Sequence, residues 1–284
     1  MTSLPKHLQP AELHQSLDAI KNKLTSPQDN TVLKNIFNCI DLTSLNATDS
    51  AKSIKLFVEK VNWFETEFDM KNVAAICVYP LHISTVKSNL IVSNVNIASV
   101  SACFPSSQTF LSVKIAECEL AANKGADELD IVLSLGHFFD YDFQYITNEI
   151  SLIKSVIGKK HLKVILETGE LKTVENIYTA SHLAMEAGAD FIKTSTGKTP
   201  VSASPEAVYT MCAAIAEFYA ATGKMVGIKP SGGIVTTADS LLYYNIVKSV
   251  LGAKWLNNKY FRLGASRLSN NLLSDIYQKE IKHF

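Results

Sequence analysis

The sequence predicts an α/β protein in which short β-strands and amphipathic helices alternate. Apolar, β-branched runs end near eight positions, namely Asp41, Tyr79, Phe104, Val132, Glu167, Lys193, Lys229 and Gly264. Successive ends are 25 to 38 residues apart, which is the length of one strand-and-helix unit. No Pro/Gly-rich linker interrupts the series, and no strand is followed by the G-x-G-x-x-G pattern of a nucleotide-binding sheet. Eight such units favour a (βα)8 TIM barrel over an open doubly wound sheet.

Residues 1–34 are predicted to be an N-terminal extension outside this repeat. They are polar and contain one helical stretch, from about Ala11 to Leu24, so we expect a helical extension laid on the core. Residues 35–284 then form the barrel as a single domain, a length that this fold routinely has. Hydrophobic residues make up 47% of the chain, which is ample for a closed core.

The helices between the strands are predicted from apolar periodicity and from their ends. Between Ile54 and Val61, apolar residues follow the i, i+3, i+4, i+7 spacing of a helix with one buried face. Ser204 followed by Pro205 is typical of a helix start, and Gly223 follows a helix end. The predicted ranges are 49–68, 109–123, 142–157, 171–187, 205–221, 237–251 and 267–282.

Composition and charge exclude several classes of function. The 27 basic residues balance the 27 acidic ones, so no excess charge indicates binding to nucleic acid or to an anionic membrane. Five cysteines without a C-x-x-C pair argue against a disulfide framework and a zinc cluster, and the seven histidines include no i, i+4 pair. We therefore expect no metal site and a location in the reducing cytoplasm. No secretion signal or membrane span is predicted.

Two lysines stand where a strand ends and a glycine-containing loop begins. Lys193 lies in GADFIKTSTGK (188–198), and Lys229 lies in GIKPSGGI (227–234). One interpretation is that their aliphatic stems pack while the charged heads reach water. The other is chemical, because a buried ammonium beside a second cation shifts toward the neutral amine, which can form a Schiff base with a carbonyl substrate. The occurrence of two such lysines, each before a loop suited to phosphate, favours the chemical interpretation.

A third ionisable residue, Asp130, lies inside the predicted fourth strand, whereas Asp127 and Glu128 are predicted to precede that strand. Catalytic groups of barrels lie at the carboxyl ends of the strands, so Asp130 on strand 4, Lys193 on strand 6 and Lys229 on strand 7 can converge. Asp130 either forms a buried salt bridge with a lysine or transfers protons beside the imine through a water molecule.

The loops after strands 7 and 8 are where barrels often bind phosphate. They read Ser231-Gly232-Gly233 and Gly264-Ala265-Ser266. Adjacent glycines let backbone N–H groups approach an anion, and a helix start behind the loop adds a favourable dipole. Simple tight turns would use the same residues, but the position after the last two strands favours a phosphate site.

Eight segments, one per predicted strand, resemble the deoxyribose-phosphate aldolase family of class I aldolases. They are DLTSL (41–45), AICVYP (75–80), ACFPS (102–106), GADELDIV (125–132), KVILETG (163–169), GADFIKTSTGK (188–198), GIKPSGGI (227–234) and FRLGASRL (261–268). The resemblance implies reversible cleavage of 2-deoxy-D-ribose 5-phosphate to D-glyceraldehyde 3-phosphate and acetaldehyde, in deoxyribose phosphate catabolism. It implies neither a metal nor an organic cofactor.

The resemblance also implies residue roles. Lys193 matches the lysine that forms the Schiff base, Lys229 the second lysine that keeps it neutral, and Asp130 the residue that transfers protons. Substrate contacts are implied for Thr196, Gly197, Lys198, Gly232, Gly233, Gly264 and Ser266 around the phosphate, and for Asp41, Thr43 and Cys77 on the aldehyde side. For Cys77, the role of a small buried hydrophobe is an equally good interpretation.

Two positions depart from the family's pattern. Many members have a second serine after GAS, where this chain has Arg267, so the phosphate contact there is expected to be rearranged or to gain a charge. Members with long sequences often end in a tyrosine that reaches the active site. Phe284 offers no hydroxyl for that purpose, and Tyr277 lies within a helical pattern.

The residues also leave other functions open. Another sugar-phosphate aldolase, or a barrel whose lysine binds pyridoxal phosphate, would equally pair a strand-end lysine with a phosphate site. A catalytically silent binding protein is the third alternative, although a scaffold has no reason to bury Lys193, Lys229 and Asp130 together. The expected partners are the sugar phosphate and acetaldehyde. We expect a homo-oligomer, in the first place a dimer, although no sequence pattern specifies the assembly.

Overall fold

The computed structural model describes residues 4–23 and 29–284. Its strands are β1 Ile40–Thr43, β2 Ala75–Val78, β3 Asn96–Val100, β4 Glu128–Val132, β5 His161–Ile165, β6 Phe191–Lys193, β7 Gly227–Lys229 and β8 Leu263–Ala265. All pair in parallel within one sheet, in the order β7-β6-β5-β4-β3-β2-β1-β8. Backbone bridges from Ile228 to Phe261 and from Ser231 to Gly264 join the two ends of the sheet. The predicted (βα)8 TIM barrel is confirmed.

The helices cover the outside of this barrel. They are α1 Pro10–Asn22, α2 Asn30–Asn38, α3 Ala51–Phe68, α4 Ile83–Asn89, α5 Leu111–Lys124, α6 Leu135–Phe139, α7 Phe143–Ile157, α8 Thr168–Leu171, α9 Val174–Glu186, α10 Pro205–Thr222, α11 Thr237–Val250 and α12 Arg267–Tyr277. The predicted ranges correspond to α3, α5, α7 and α9 to α12. Sequence periodicity missed α2, α4, α6 and α8, which are four to nine residues long and too short to show a helical repeat.

Three predicted boundaries are wrong, and in the first two the backbone turns earlier than the apolar pattern indicates. Strand β3 ends at Val100 rather than near Phe104, and the loop that follows has positive φ angles at Ala102 and Cys103. Helix α12 ends at Tyr277 instead of continuing to residue 282, because Gln278 adopts the left-handed conformation. Glu128, expected to precede the fourth strand, is the first residue of β4.

The N-terminal helix α1 packs against α10 and α11 on the outside of the barrel. It buries Leu13, Leu17 and Ile20 there. The predicted helix extended to Leu24, which lies outside the described residues. The predicted division of the chain between residues 34 and 35 falls within α2, so that division stays a prediction.

The C-terminal residues lie against α2 and α3. The Phe284 ring centroid is 5.7 Å from that of Phe64 and 6.3 Å from that of Phe37. Tyr277 donates its hydroxyl hydrogen to the carbonyl oxygen of Phe68 at the end of α3. Neither Tyr277 nor Phe284 lines the cavity described below. Within the described ranges, no helix is long and apolar enough to cross a membrane.

A close approach inside the barrel requires glycine at position 227. Gly227 on β7 is in register with Phe191 on β6, and a Cβ at 227 would lie 2.3 to 2.6 Å from three atoms of the Phe191 ring. The ring is buried, and the Arg262 guanidinium lies 5.7 Å from its centroid. Because the ring is buried and lies against Arg262, it has little room to move.

We predict that Gly227→Ala lowers the free energy of unfolding by about 1–3 kcal/mol, because it overpacks the barrel interior. Gly136→Ala in α6 is the matched control, since a Cβ there meets no atom within 4 Å. Chemical denaturation measures both variants. Equal stability of the two variants would contradict the predicted clash.

Candidate active site

Seven ionisable side chains meet inside the barrel, and we call them the buried ion cluster. They are Asp41 on β1, Glu128 and Asp130 on β4, Lys163 on β5, Lys193 on β6, Lys229 on β7 and Arg262 immediately before β8. Each of these residues is buried, although burial of a charge is costly unless the charge is paired. The geometry of the pairing therefore decides which of them carry charge.

Asp130 is the carboxylate that three lysines share. Its Oδ2 atom lies 2.9 Å from the Lys193 Nζ atom and 2.7 Å from the Lys229 Nζ atom, and its Oδ1 atom lies 2.8 Å from the Lys163 Nζ atom. Burial would raise the pKa of Asp130, but the three lysines together hold that pKa well below its usual range. The structure thus brings together the three residues that the sequence selected, with Asp130 ionised.

Asp41 belongs to the same cluster and not to the wall of a cavity. Its Oδ2 atom is 2.5 Å from the Lys229 Nζ atom, and its Oδ1 atom accepts a hydrogen bond of 2.6 Å from Arg262. Burial opposes ionisation of Asp41, but these cations lower its pKa. The sequence placed Asp41 on the aldehyde side of the substrate, whereas its contacts are with the second lysine and with Arg262.

Sequence reasoning missed three members of the cluster, namely Glu128, Lys163 and Arg262. Lys163 forms ion pairs with Glu128 at 2.6 Å and with Asp130 at 2.8 Å, and Arg262 donates two hydrogen bonds to Glu128. Side chains alternate between the faces of a strand, so Glu128 shares the inward face with Asp130, two residues later. That alternation was the available signal for Glu128. Lys163 is in register with Asp130 on the next strand, which only the sheet pairing shows.

Lys193 and Lys229 differ in their tendency to hold a proton. Burial lowers the pKa of Lys193, and the nearby Lys229 cation lowers it further, although Asp130 acts in the opposite sense. Burial also disfavours charge on Lys229, but Asp130 and Asp41 outweigh it and raise the pKa of Lys229. With Lys193 neutral, three carboxylates balance Lys163, Lys229 and Arg262. Lys193 is therefore the amine from which a proton is most easily lost.

A cavity of about 230 Å³ opens above the cluster at the carboxyl ends of β6, β7, β8 and β1. Within the described part of the chain, Lys193 is the one member of the cluster that lines it. Eight of the predicted substrate contacts also line it: Thr43, Thr196, Gly197, Lys198, Gly232, Gly233, Gly264 and Ser266. Arg267, where the sequence departs from the family's pattern, completes this wall and is exposed.

The loop after β7 has the conformation that an anion site of backbone N–H groups requires. Gly232 has a φ of +82°, and a Cβ there would lie 2.5 Å from the Ser202 hydroxyl oxygen, so another residue would be strained. The loop leads to α11, whose start is capped by Thr236 and Asp239. A positive helix end behind glycine N–H groups favours a bound anion, and Lys198 and Arg267 add positive charge to the same cavity.

Cys77 does not line this cavity. Its side chain is buried and packs in an apolar group with Leu45, Ala75, Ala98 and Val100. Burial raises the pKa of the Cys77 thiol, which keeps the sulfur neutral. The contacts match the interpretation of Cys77 as a small buried hydrophobe.

A metal centre has no support in the described residues, where no group of three or more His, Cys, Asp or Glu side chains has a geometry that could hold an ion. The ion cluster contains its own cations, so its carboxylates are already paired.

Known aldolases resemble this chain over most of its length. Residues 36–266 match the family described as DeoC/LacD family aldolase. The chain is 41% identical over 268 residues to a Caenorhabditis elegans protein provisionally named deoxyribose-phosphate aldolase, covering 93% of this chain and 88% of that protein. It is 39% identical over 249 residues to a human deoxyribose-phosphate aldolase, covering 84% and 78% respectively. The solved structure of QR15, an aldolase, is 28% identical with a TM-score of 0.66, covering 86% of this chain and 95% of that one. The chain therefore belongs to the DeoC/LacD family of aldolases.

Proposed function

We propose that the protein cleaves 2-deoxy-D-ribose 5-phosphate reversibly to D-glyceraldehyde 3-phosphate and acetaldehyde, through a Schiff base on Lys193. The observation that carries this proposal is the placement of Lys193. Its amine has a lowered pKa, contacts a buried carboxylate and faces a cavity whose opposite wall suits a phosphate. Relatives covering most of the chain bear the name of this activity.

The first step is attack of the neutral Lys193 amine on the C1 aldehyde of the open-chain sugar. The carbinolamine that results loses water to give a protonated imine, so the oxygen of C1 leaves as water. Lys229 favours this step because its charge lowers the pKa of Lys193. The positive charge of the new iminium forms beside the Asp130 carboxylate, whose Oδ2 atom lies 2.9 Å from the Lys193 Nζ atom.

The second step breaks the C2–C3 bond of the sugar. A proton leaves the C3 hydroxyl, C3 becomes the aldehyde of glyceraldehyde 3-phosphate, and the electron pair of the C2–C3 bond passes to C2 and the imine as an enamine. Protonation of C2 and hydrolysis of the imine then release acetaldehyde and restore Lys193. Asp130 is held ionised by its lysines, so it transfers protons by way of those ammonium groups and water instead of storing one.

The phosphate end of the sugar is proposed to occupy the loops after β6, β7 and β8. Gly197, Gly232 and Gly233 offer backbone N–H groups there, and Ser266 precedes the first turn of α12. Thr43 lines the cavity at the end of β1 and can contact the sugar hydroxyls. The other lysine-dependent barrels considered from the sequence are less favoured, because the named relatives are aldolases that act on deoxyribose phosphate.

The proposal predicts that acetaldehyde and borohydride together attach an ethyl group to Lys193. Reduction converts the imine to a stable secondary amine, which peptide mapping by mass spectrometry locates. The exposed Lys224→Arg control should be labelled like the wild type, and Lys193→Arg should not be labelled. Labelling of Lys229 instead, or cleavage activity without any adduct, would overturn the assignment.

Replacing Lys229 tests the electrostatic part of the mechanism. Lys229→Gln leaves three carboxylates facing only Lys163 and Arg262, so the cluster carries a net negative charge when Lys193 is neutral. The pKa of Lys193 must then rise, and the fraction of neutral amine at pH 7 must fall. We expect a large loss of activity at pH 7, partial recovery at higher pH and an upward shift of the acid limb of the kcat/KM profile. An equal loss at every pH would show that Lys229 instead contacts substrate directly.

We further propose that the protein forms a homodimer through the outer face of α3 and α5. Trp63 on α3 is 64% exposed, and Val113 and Leu120 lie seven residues apart on one side of α5, half of each side chain exposed. Helix α4 packs between α3 and α5, so these apolar side chains lie on neighbouring parts of one surface. Among the described residues of α9 to α12, no large hydrophobic side chain is exposed to this extent.

We also propose that the protein acts in the cytoplasm. Its five cysteines are free thiols, as is usual in a reducing compartment.

The assembly proposal predicts that Val113→Glu combined with Leu120→Glu shifts the protein to a monomer in sedimentation velocity. Charges at the centre of an apolar interface cannot be solvated once the two copies meet. Val201→Glu is the control, since Val201 is equally exposed but lies in the loop before α10. Dimers that persist in the double variant would place the interface elsewhere.

A further inference from the structure

Glu167 is a strained, buried carboxylate that the mechanism does not use, and it contacts Thr196 of the cavity wall. It follows β5 with φ 55° and ψ 61°, a left-handed conformation that costs of order 1–3 kcal/mol for a residue other than glycine. Its side chain is 2% exposed. Strain of this kind persists where the surrounding contacts demand one particular side-chain position, so the contacts of Glu167 show what its position serves.

The carboxylate of Glu167 accepts hydrogen bonds from a single loop, the one after β6. Its Oε1 atom accepts from the Thr196 backbone N–H at 3.2 Å, and its Oε2 atom accepts from the Thr196 hydroxyl at 2.5 Å. The Thr199 hydroxyl adds a longer bond of 3.4 Å. In residues 4–23 and 29–284, no lysine, arginine or histidine nitrogen forms an ion pair with Glu167. The buried carboxyl group is thus held by the donors of one loop.

These bonds use both donors of Thr196. Its hydroxyl also accepts a hydrogen bond of 3.0 Å from the Lys198 backbone N–H, so the one hydrogen that the side chain can donate is already given to Glu167. Thr196 lines the cavity, but it has no donor left for an anion. The residues that follow it, Gly197 and Lys198, line the same cavity. The Lys198 Nζ atom donates one hydrogen bond of 2.6 Å to the Leu45 carbonyl, which leaves two of its three hydrogens for an anion.

We infer that Glu167 is a positioning residue, which fixes the loop after β6 so that Gly197 and Lys198 meet the anionic end of the substrate. Thr196 acts in this arrangement as the tie between Glu167 and the loop, not as a ligand of the phosphate. The inference deepens the proposed function and rests on it.

The backbone around Glu167 shows why a side chain is needed. The Leu166 N–H donates to the Lys193 carbonyl and the Thr168 N–H donates to the Thr194 carbonyl, which joins the ends of β5 and β6. Beyond Thr194 these backbone bonds stop, and the chain turns through Gly197 with a φ of +72°. The Glu167 carboxylate reaches the turning segment that the backbone bonds do not.

Glu167 could affect the anion through its charge or through the position that it gives the loop, and the two explanations predict opposite effects of Glu167→Gln on anion binding. A bare carboxylate near a phosphate repels it, so its removal would tighten binding if Glu167 acted through charge. If Glu167 acts by position, the amide of Gln loses one of the two acceptors for Thr196 and presents N–H donors in its place. The loop is then released, and binding of the anion weakens.

The experiment compares Glu167→Gln with Glu170→Gln, which changes an exposed carboxylate in α8, the short helix that begins directly after Glu167. For the phosphorylated sugar we expect KM to rise on the order of ten-fold in Glu167→Gln, with kcat changed less than about two-fold. Kinetics with unphosphorylated 2-deoxyribose and the rate of acetaldehyde labelling at Lys193 should stay unchanged. Glu170→Gln should match the wild type in every assay.

A second readout keeps the inference testable without catalysis. Calorimetric titration with inorganic phosphate should give a dissociation constant raised about ten-fold by Glu167→Gln and by Thr196→Val, whereas Thr196→Ser, which keeps the hydroxyl, restores wild-type binding. The variant that combines Glu167→Gln with Thr196→Val should bind phosphate no more weakly than either single variant. Unchanged or tighter phosphate binding in Glu167→Gln would overturn the inference. Absence of sugar cleavage by the wild type would overturn the proposed function and leave this titration to decide the role of Glu167.

Discussion

The interior of this barrel depends on one carboxylate, Asp130, which three lysines share. Lys163, Lys193 and Lys229 come from the three consecutive strands β5, β6 and β7, and each reaches the carboxylate within 2.9 Å. Removing one partner from a buried ion pair costs about 3–5 kcal/mol, so the register of four neighbouring strands is tied to this contact. In the sheet, Asp130 on β4 is in register with Lys163 on β5, and Lys193 on β6 is in register with Lys229 on β7, so these side chains lie at the same level of the barrel.

The same contact makes two similar lysines behave differently. Lys229 lies against Asp41 and Asp130, whereas the ion pair found for Lys193 in the described residues is with Asp130. Both amines are buried, so the number of anionic partners decides which one keeps its proton. The difference between one and two carboxylate partners is therefore enough to make Lys193 the more easily deprotonated amine, which is the property that the proposed mechanism requires. Lys193 is also the cluster member at the cavity, which places the neutral amine where a carbonyl can reach it.

The barrel and part of the ion cluster can be predicted from the sequence, because the spacing of strand ends and the position of a lysine at a strand end are visible along the chain. Strand ends every 25 to 38 residues predict the fold, and a lysine at a strand end before glycine predicts the chemistry. Lys163 escaped notice because β5 is apolar on both sides of it, so no alternation shows which face points inward. For Asp41 the sequence indicates the face of β1 but not the depth along it. Thr43 lies two residues further along the same strand, and it is Thr43 that lines the cavity.

The buried ion cluster and the residues that line the cavity occupy separate parts of the barrel. The ion cluster lies within the strands, while the cavity above it is built from loops whose first residues are hydrogen-bonded to one another. Thr194 and Ser231 join the loops after β6 and β7 through side-chain and backbone bonds, and the Gly264 N–H donates to the Pro230 carbonyl. An exposed cavity residue such as Arg267 can therefore differ between relatives without disturbing a buried pair. Changes in substrate preference are expected to arise in the loops, and changes in the reactivity of Lys193 in the strands below them.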